Sequence, residues 1–392
     1  MPVDRQSLDR AVDTLAPELE ALARALHANP ETRFVEHESA KRIVALLERA
    51  GVAELREGIG GLSTAFEARA GDGARPCVAL LAEYDALPEI GHACGHNLIA
   101  AGAVGAFLAL ARHAPELSGT VRLIGTPAEE GGGGKIILLK QGVFEGVDAA
   151  LMYHPLDRDV LAHPALASSW VRLRFQGRPS HAAAAPWEGA SALTACLETF
   201  RLIDSQRVHL RDGVRVHGIV TDGGKASNII PEHAAADFSV RASTGKELER
   251  VLAMVERCAR GAALACDVGV ELEVVPGYRE LHNNLTLARV FGAAMGALGR
   301  PARETDPRVG AGSTDMGDVS LVVPAIHPYL AICDEGAAFC HQHAFAGAAA
   351  SDRGLETMRL AAKALARTVV ELFERPSLLA DAKHEHAASV GA

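Results

Sequence analysis

Aromatic side chains are scarce in this chain. Four tyrosines, two tryptophans and eleven phenylalanines make up 4% of its 392 residues. Packing must therefore rest on alanine, valine and leucine, and with 48% hydrophobic residues there is enough to bury a large core. Positive charge is also short: 39 Lys and Arg stand against 49 Asp and Glu, a formal net charge of −10. That balance argues against nucleic acid or an anionic membrane as the main partner. No apolar run reaches the roughly 18 uninterrupted residues of a membrane span. The stretch up to Pro30 lacks the apolar segment of a signal peptide. Cysteines are few, odd in number (seven) and widely spaced. They build no disulfide framework and fit a cytoplasmic protein with reduced thiols. Six read as small buried hydrophobes. Cys94 stands apart because His92 and His96 flank it at two-residue spacing. Neither an internal repeat nor a long low-complexity linker breaks the chain, and its length suggests two or three domains.

What is present begins with two helical periodicities, at 5–29 and about 38–50, stopped by Asn29-Pro30 and by Gly51. A strand at 63–70, a turn at Gly71-Asp72-Gly73 and a strand buried on both faces at 76–82 follow. The segment 99–114 reads as an Ala-rich helix, 119–125 as a strand, the region from about Lys135 as a helix, and 148–153 as a further strand. This order predicts a mainly parallel central sheet flanked by helices. From about residue 168 the pattern changes. Runs at 169–176, 217–221 and 233–241 alternate between apolar and polar, with helices at 189–206 and 246–265 and a strand at 271–276. They predict an inserted α+β domain with a half-solvated antiparallel sheet, residues 168–280. The first domain, 1–167, resumes over 281–392, with helices at about 285–298 and 352–375 and an extended SLVVP at 320–324. The tail from Ser377 is expected to fray.

Strands of such a sheet place their active loops at the carboxyl ends. Here the three strand exits carry Asp85, the pair Glu129 and Glu130, and His154. In the loop after the first come His92, Cys94 and His96. A thiolate, imidazoles and carboxylates at adjacent strand ends suggest a transition-metal site, with Cys94, His96, Glu130, His154 and a C-terminal histidine as candidates. There are more ligands than one ion needs, which favours two ions sharing a ligand, the arrangement used for hydrolysis. The two glutamates can then divide the labour: one coordinates, the other moves a proton from the attacking water to the leaving amine.

The segments EYDALPEIGHACGHN, TPAEEGGGGK, MYHP, PSHAAAAPWEGASAL, NIIP and GSTDMGDVS, in that order, resemble the metallopeptidases of family M20. They are most similar to its amidohydrolase subfamily D and the branch that holds p-aminobenzoyl-glutamate hydrolase and related dipeptidases. The resemblance runs from about residue 10 to 375. It implies two divalent ions, zinc or manganese with cobalt or nickel also suitable, held by Cys94, His96, Glu130, His154 and His341, with Cys94 bridging. His343 competes with His341 for the last place, and the family spacing to Phe345 favours His341. Glu129 would be the general base and Asp85 would orient a ligand imidazole. The inserted domain would be a lid and dimerisation domain. Its His181 and Asn228 would stabilise the oxyanion, and its Arg241 would bind the substrate carboxylate. Ser313, Thr314 and Asp315 would line the substrate pocket.

The implied function is metal-dependent hydrolysis of a small N-acyl amino acid or dipeptide with a free carboxylate, by metal-activated water, in a homodimer. Two other readings stay open. One is a thiol hydrolase with Cys94 as nucleophile; the other is a non-catalytic metal-binding protein of the same fold. The chain departs from common family patterns at three places. Glu83 stands where many members of the wider family have His, and Cys94 where they have Asp. Asn97 stands where many members of subfamily D have Asp. A thiolate at 94 is a softer ligand and is sensitive to oxidation. His92 is outside the family ligand set.

Overall fold

The computed structural model describes residues 3–71, 73, 75–308 and 310–390. Asp72, the centre of the turn expected between Gly71 and Gly73, lies outside the described residues. In chain order the elements of the first part are α1 (Arg5–Ala28), α2 (His37–Arg49), β1 (Glu54–Glu57), β2 (Phe66–Gly71), β3 (Cys77–Ala82), α3 (His96–Arg112), β4 (Thr120–Gly125), α4 (Gly134–Lys140), β5 (Ala149–Leu151) and β6 (His154–Leu156). The middle supplies β7 (Ala167–Gln176), α5 (Ala192–Gln206), β8 (Arg215–Asp222), β9 (His233–Ala242), α6 (Gly245–Ala265) and β10 (Gly269–Pro276). The chain closes with α7 (Leu285–Ala297), α8 (Met316–Ser320), β11 (Ala325–Ile326), β12 (Tyr329–Ala331), α9 (His343–Ala349), α10 (Asp352–Glu374) and α11 (Pro376–Val390).

Two compact units result: residues 1–164, 281–311 and 315–392, and residues 165–280 with 312–314. In the first, a six-stranded sheet has the order β1-β2-β4-β3-β5-β11. Its β4, β3, β5 and β11 run parallel, and β2 and β1 add antiparallel at the edge. Every residue of β3 and β4 is buried, as two-sided helix cover requires. Helix α3 packs against both α1 and α10. Scarce aromatics are compensated by close approach: Gly102 lies under the Tyr153 ring and Gly105 under Leu19, where an added Cβ would come within 2.7 and 2.6 Å. Leu–Ala–Gly surfaces at such spacing gain their stability from many small contacts.

The second unit is a four-stranded antiparallel sheet, β10-β7-β9-β8, covered on one face by α5 and α6. Buried and exposed residues alternate along β7 and β9, and Val171, Leu173, Phe175, Ala236, Phe238 and Val240 face the helices. Ser191 and Thr244 cap α5 and α6 through their hydroxyls. Gly312–Thr314 groups with this unit, because Leu166 N donates to Gly312 O at 2.7 Å and Arg241 reaches the Ser313 hydroxyl at 3.4 Å.

Three sequence expectations are corrected. SLVVP is not extended: Ser320 ends α8, Leu321–Val323 turn, and the strand β11 starts after Pro324. The run 148–153 is not one strand; it stops at Leu151, and β6 opens at His154 in a separate parallel pair with β12. The tail does not fray. It forms α11, whose Leu379 and Ala382 are buried, while Glu385 accepts from the Leu285 and Thr286 amides and so caps α7. Lys383 also pairs with buried Asp148 at 2.5 Å. A cap supplied by a carboxylate a hundred residues away leaves no local signature.

Candidate metal centre

The carboxyl ends of β3 and β4 converge on one buried loop set. Beyond β3 come Glu83, Tyr84 and Asp85, all buried. The HACGHN loop then turns into α3 at Gly95, which has φ +78° and presses on Pro155, where a Cβ would lie 2.7 Å from Cγ. Only glycine satisfies both demands, and its absence of side chain brings Cys94 and His96 against His154. Beyond β4, Ala128 (φ +61°) precedes Glu129, and His341 itself has φ +68°. Left-handed backbone at non-glycine residues is costly and concentrates at functional sites.

Three overlapping groups of ligand-capable atoms lie within 4.8 Å of one another: Cys94, His96 and His154; Cys94, Glu130 and His341; His96, Glu129 and Glu130. Cys94 is shared by the first two. His341 Nε2 lies 3.5 Å from Glu130, and its backbone amide donates to Ala93 O at 3.0 Å. His343 opens α9 on the exposed surface and belongs to none of the groups.

The imidazole tautomers are set by what holds their other nitrogens. His96 Nδ1 donates to Asp85 (3.1 Å to Oδ1 and 3.0 Å to its carbonyl), which leaves Nε2 with a lone pair. The Asp85 Oδ2 accepts from Glu130 N at 2.9 Å. His154 Nδ1 donates to Pro155 O at 2.7 Å. Burial pushes His154 down to about 4, so it stays neutral, the form a metal takes. For His96 burial acts in the same direction, but Asp85, Glu83 and Glu130 outweigh it and raise its affinity for a proton well above normal. A cation at Nε2 would satisfy the same field.

Glu129 and Glu130 are pushed apart. Burial and the charges of Glu83, Glu130 and Asp315 raise Glu129 well above the carboxylate range. Burial would raise Glu130 too, but the His341 hydrogen bond, the His96 charge and Cys94 bring it down to about 2. Adjacent carboxyl groups with opposed environments are the usual basis for separate proton-carrying and charge-bearing roles. The Cys94 thiol is raised well above normal by its contact with Cys340, by burial and by Glu130. That is the reverse of an activated cysteine nucleophile.

Donor chemistry and orphan atoms both fit a divalent transition metal. A thiol, three imidazoles and a carboxylate are a borderline-soft set. Around them His96 Nε2, Glu83 Oε2 and both ring nitrogens of His327 are buried with no hydrogen-bond partner. His327 packs 5.2 Å from His154, centroid to centroid. Asn97 is bound elsewhere, with its amide donating to Ala23 O and Ala349 O. His92 is buried against His27 and is held neutral, down at about 3, by burial and its histidine neighbours.

Four buried or half-buried neighbours have no signal in the sequence. Lys135 follows four glycines at the expected start of a helix, and it is fully buried. Glu36, also buried, accepts from the amides of Phe34 and Ala128. His327 sits in a segment with no recognisable pattern, and Cys340, next to His341, reads only as a small buried hydrophobe.

In the second unit, the His181 Nδ1 accepts from the amides of Ala183 and Ala184 at 3.2 and 3.1 Å, which leaves the proton on Nε2. Ala182 N donates to Asn228 O at 3.0 Å, so His181 and Asn228 are neighbours. Both residues are exposed. Arg241 is half-buried beside Ser313, and Thr314 is buried.

A parallel sheet whose strand exits gather carboxylates, imidazoles and a thiol provides a candidate metal centre of the kind suited to hydrolysis. The chain belongs to peptidase family M20/M25/M40, whose pattern matches residues 79–370. It acts as a hydrolase on peptide or amide bonds in small substrates. It is 38% identical to the mouse (Mus musculus) Xaa-Arg dipeptidase over 97% of this chain and 91% of that protein. It is 29% identical to a subunit of Escherichia coli p-aminobenzoyl-glutamate hydrolase, covering 97% and 94% of the two chains. Among solved structures it shares its fold with a Bacillus subtilis protein described as a dinuclear metal-binding M20 peptidase, with TM-score 0.72, 23% identity and 92% and 99% coverage. A Klebsiella pneumoniae aminobenzoyl-glutamate utilization protein matches with TM-score 0.72, 19% identity and 94% and 99% coverage.

Proposed function

We propose that the protein is a dinuclear metallohydrolase that cleaves the amide bond of a dipeptide or N-acyl amino acid with a free carboxylate. The observation that carries this reading is the convergence of Cys94, His96, Glu130, His154 and His341 into overlapping groups that share Cys94. These five residues would hold two divalent ions, zinc or manganese first, with cobalt or nickel also compatible. The ions supply Lewis acidity toward the scissile carbonyl and the attacking water.

The protein's own residues do the rest. Glu129, raised by burial and three neighbouring carboxylates, takes a proton from the attacking water and hands it to the leaving amine. Asp85 fixes the His96 ring and the Glu130 amide together. The protonated Nε2 of His181, with Asn228 beside it, is a donor suited to the oxyanion. Arg241, with Ser313 and Thr314, receives the substrate carboxylate through paired N–H donors.

The inserted unit, residues 165–280 with 312–314, serves as lid and dimerisation element in this reading. Its edge strand β8 carries exposed Ile219 and Val220, a surface that an antiparallel copy would cover. All seven cysteines are unpaired, in keeping with a cytoplasmic setting.

The mouse relative's name points to dipeptides ending in arginine, and the bacterial relative's name to p-aminobenzoyl-glutamate. The test is a substrate panel on protein reconstituted with zinc or manganese, spanning Xaa-Arg dipeptides, other dipeptides, p-aminobenzoyl-glutamate and N-acetyl amino acids. Hydrolysis that EDTA abolishes and added metal restores is expected. No turnover on any member of the panel, or turnover that survives complete metal removal, would overturn the proposal.

A further inference from the structure

One charged side chain beside the metal centre has no part in the chemistry above. Lys135 is fully buried, and its ammonium donates to Glu83 Oε1 at 2.5 Å and to Asp315 Oδ1 at 2.6 Å. Its amide donates to the other oxygen of the same carboxylate, Asp315 Oδ2, at 3.0 Å. All three residues lie in the first unit. A buried ion pair is weak evidence of stabilisation, since apolar residues of similar volume serve as well or better. Two carboxylates around one ammonium also leave the group with a net negative charge, which weakens the case for a purely structural role further.

The geometry gives the group a direction. Glu83 uses only one oxygen on Lys135. Its second, Oε2, is buried without a hydrogen bond and lies 3.5 Å from His96 Nε2, the lone-pair nitrogen. The tripeptide 83–85 is thus tied to the 129–135 loop at two points: Asp85 to the Glu130 amide, and Glu83 to the Lys135 ammonium. Between those points Gly134 passes so close to Pro127 O that a Cβ would lie 1.8 Å from it. The loop therefore has one path, and Lys135 ends it.

We propose that Lys135, clamped by Asp315, is a positioning residue that holds Glu83 with its free oxygen on the ligand face of His96, and that Glu83 thereby helps retain the cation bound by His96. This rests on the dinuclear reading above and adds a sixth protein group to it. Removal of a hydrogen-bonded or ionic support of this kind costs metal affinity by about 10–100-fold.

The test uses two variants of the full chain, with metal affinity read by competition against a chromophoric chelator and fold read from the apo protein's thermal unfolding. Glu83→Gln keeps the shape and an acceptor for Lys135. It is expected to fold as the parent does, to bind one of two ions about 10–100-fold more weakly, and to lose kcat with little change in KM. Lys135→Met with Asp315→Asn removes one charge of each sign and leaves Glu83 in place without its anchor. If positioning matters, it shows the same weakened ion although the carboxylate remains. Both variants binding two ions with parental affinity would overturn the proposal while leaving the dinuclear reading intact. A parent protein that binds no divalent ion would overturn both.

Discussion

The two units keep their polar residues in opposite ways. In the first, Glu36, Glu83, Asp85, His96, Glu129, Lys135 and Asp315 are all buried, and Glu36, Glu83, Asp85, His96 and Asp315 are pinned by a backbone group or a charge. In the second, His181 and Asn228 are exposed on loops, and the sheet keeps one face toward solvent. A buried, mutually supporting polar set shifts proton affinities and fixes geometry. Exposed donors on a half-covered sheet do neither until something covers them. Under the proposed function the contrast would put proton transfer in the first unit and the contacts to oxyanion and carboxylate in the second, and substitutions in each should therefore differ in kind.

The largest effect belongs to Glu129. Glu129→Gln should lower kcat by about three orders of magnitude, within the range for loss of a general base. Metal content and thermal stability should stay near parental, which metal analysis and unfolding curves will check. Substantial turnover in this variant would take proton transfer away from Glu129 and erase the contrast.

His181→Ala comes next, with an expected loss in kcat of about 100-fold, the cost of removing one oxyanion donor. Because His181 is exposed and its ring accepts from the local amides of Ala183 and Ala184, unfolding temperature should barely move. An unchanged kcat would confine the chemistry to the first unit alone. Arg241→Ala should instead act on KM, raising it about 10–100-fold, as a lost charge-assisted contact of about 1.5–3 kcal/mol implies. The sharper measurement is a comparison with a substrate whose carboxylate is amidated: the variant and parent should then be nearly equal.

How far the sequence reached follows the same division. Strand exits in the first unit are readable because β3 and β4 are uninterrupted apolar runs ended by charge, and α1, α7 and α10 because their periodicity is regular and their ends are capped. The order of the motifs supplied the remaining candidate ligands, which the fold brings within reach of one another. Lys135 and Glu36 were illegible for a physical reason: a charged side chain is buried only when partners from distant segments neutralise or hydrogen-bond it, and sequence spacing does not encode those partners. The tail was expected to fray for a similar reason: α11 buries Leu379 and Ala382, and Glu385 and Lys383 hold it to α7 and Asp148, partners that no local pattern announces. The break between β5 and β6 depends on β12, 173 residues after Leu156 at its start, Tyr329.

The smallest effect, and the finest probe of the first unit's interior, is a pH dependence at Glu36. Burial pushes this carboxyl up to about 7, with the Asp85 charge adding to it, although the Phe34 amide and Thr64 hydroxyl pull the other way. Its ordinary value is near 4.5, so between about 4.5 and 7 the folded state holds more protons than the unfolded one. Stability contributed by the neutral acid is then complete below about 4.5 and is lost as pH rises through 7. A glutamine in its place cannot titrate, yet the amide carbonyl can still accept from the Phe34 and Ala128 amides that Glu36 Oε1 now holds. The unfolding temperature of apo Glu36→Gln relative to the parent should therefore climb between pH 5 and pH 8 by a few degrees, as about 1 kcal/mol or more would give in a chain of this size. Metal-free protein keeps ligand protonation by bound ions out of the comparison, and the common background of other titrating groups cancels in the difference. A gap that stays constant across that range would mean Glu36 is ionised throughout, and that the Ala128 turn ahead of Glu129 is held by a charge rather than by a buried neutral acid.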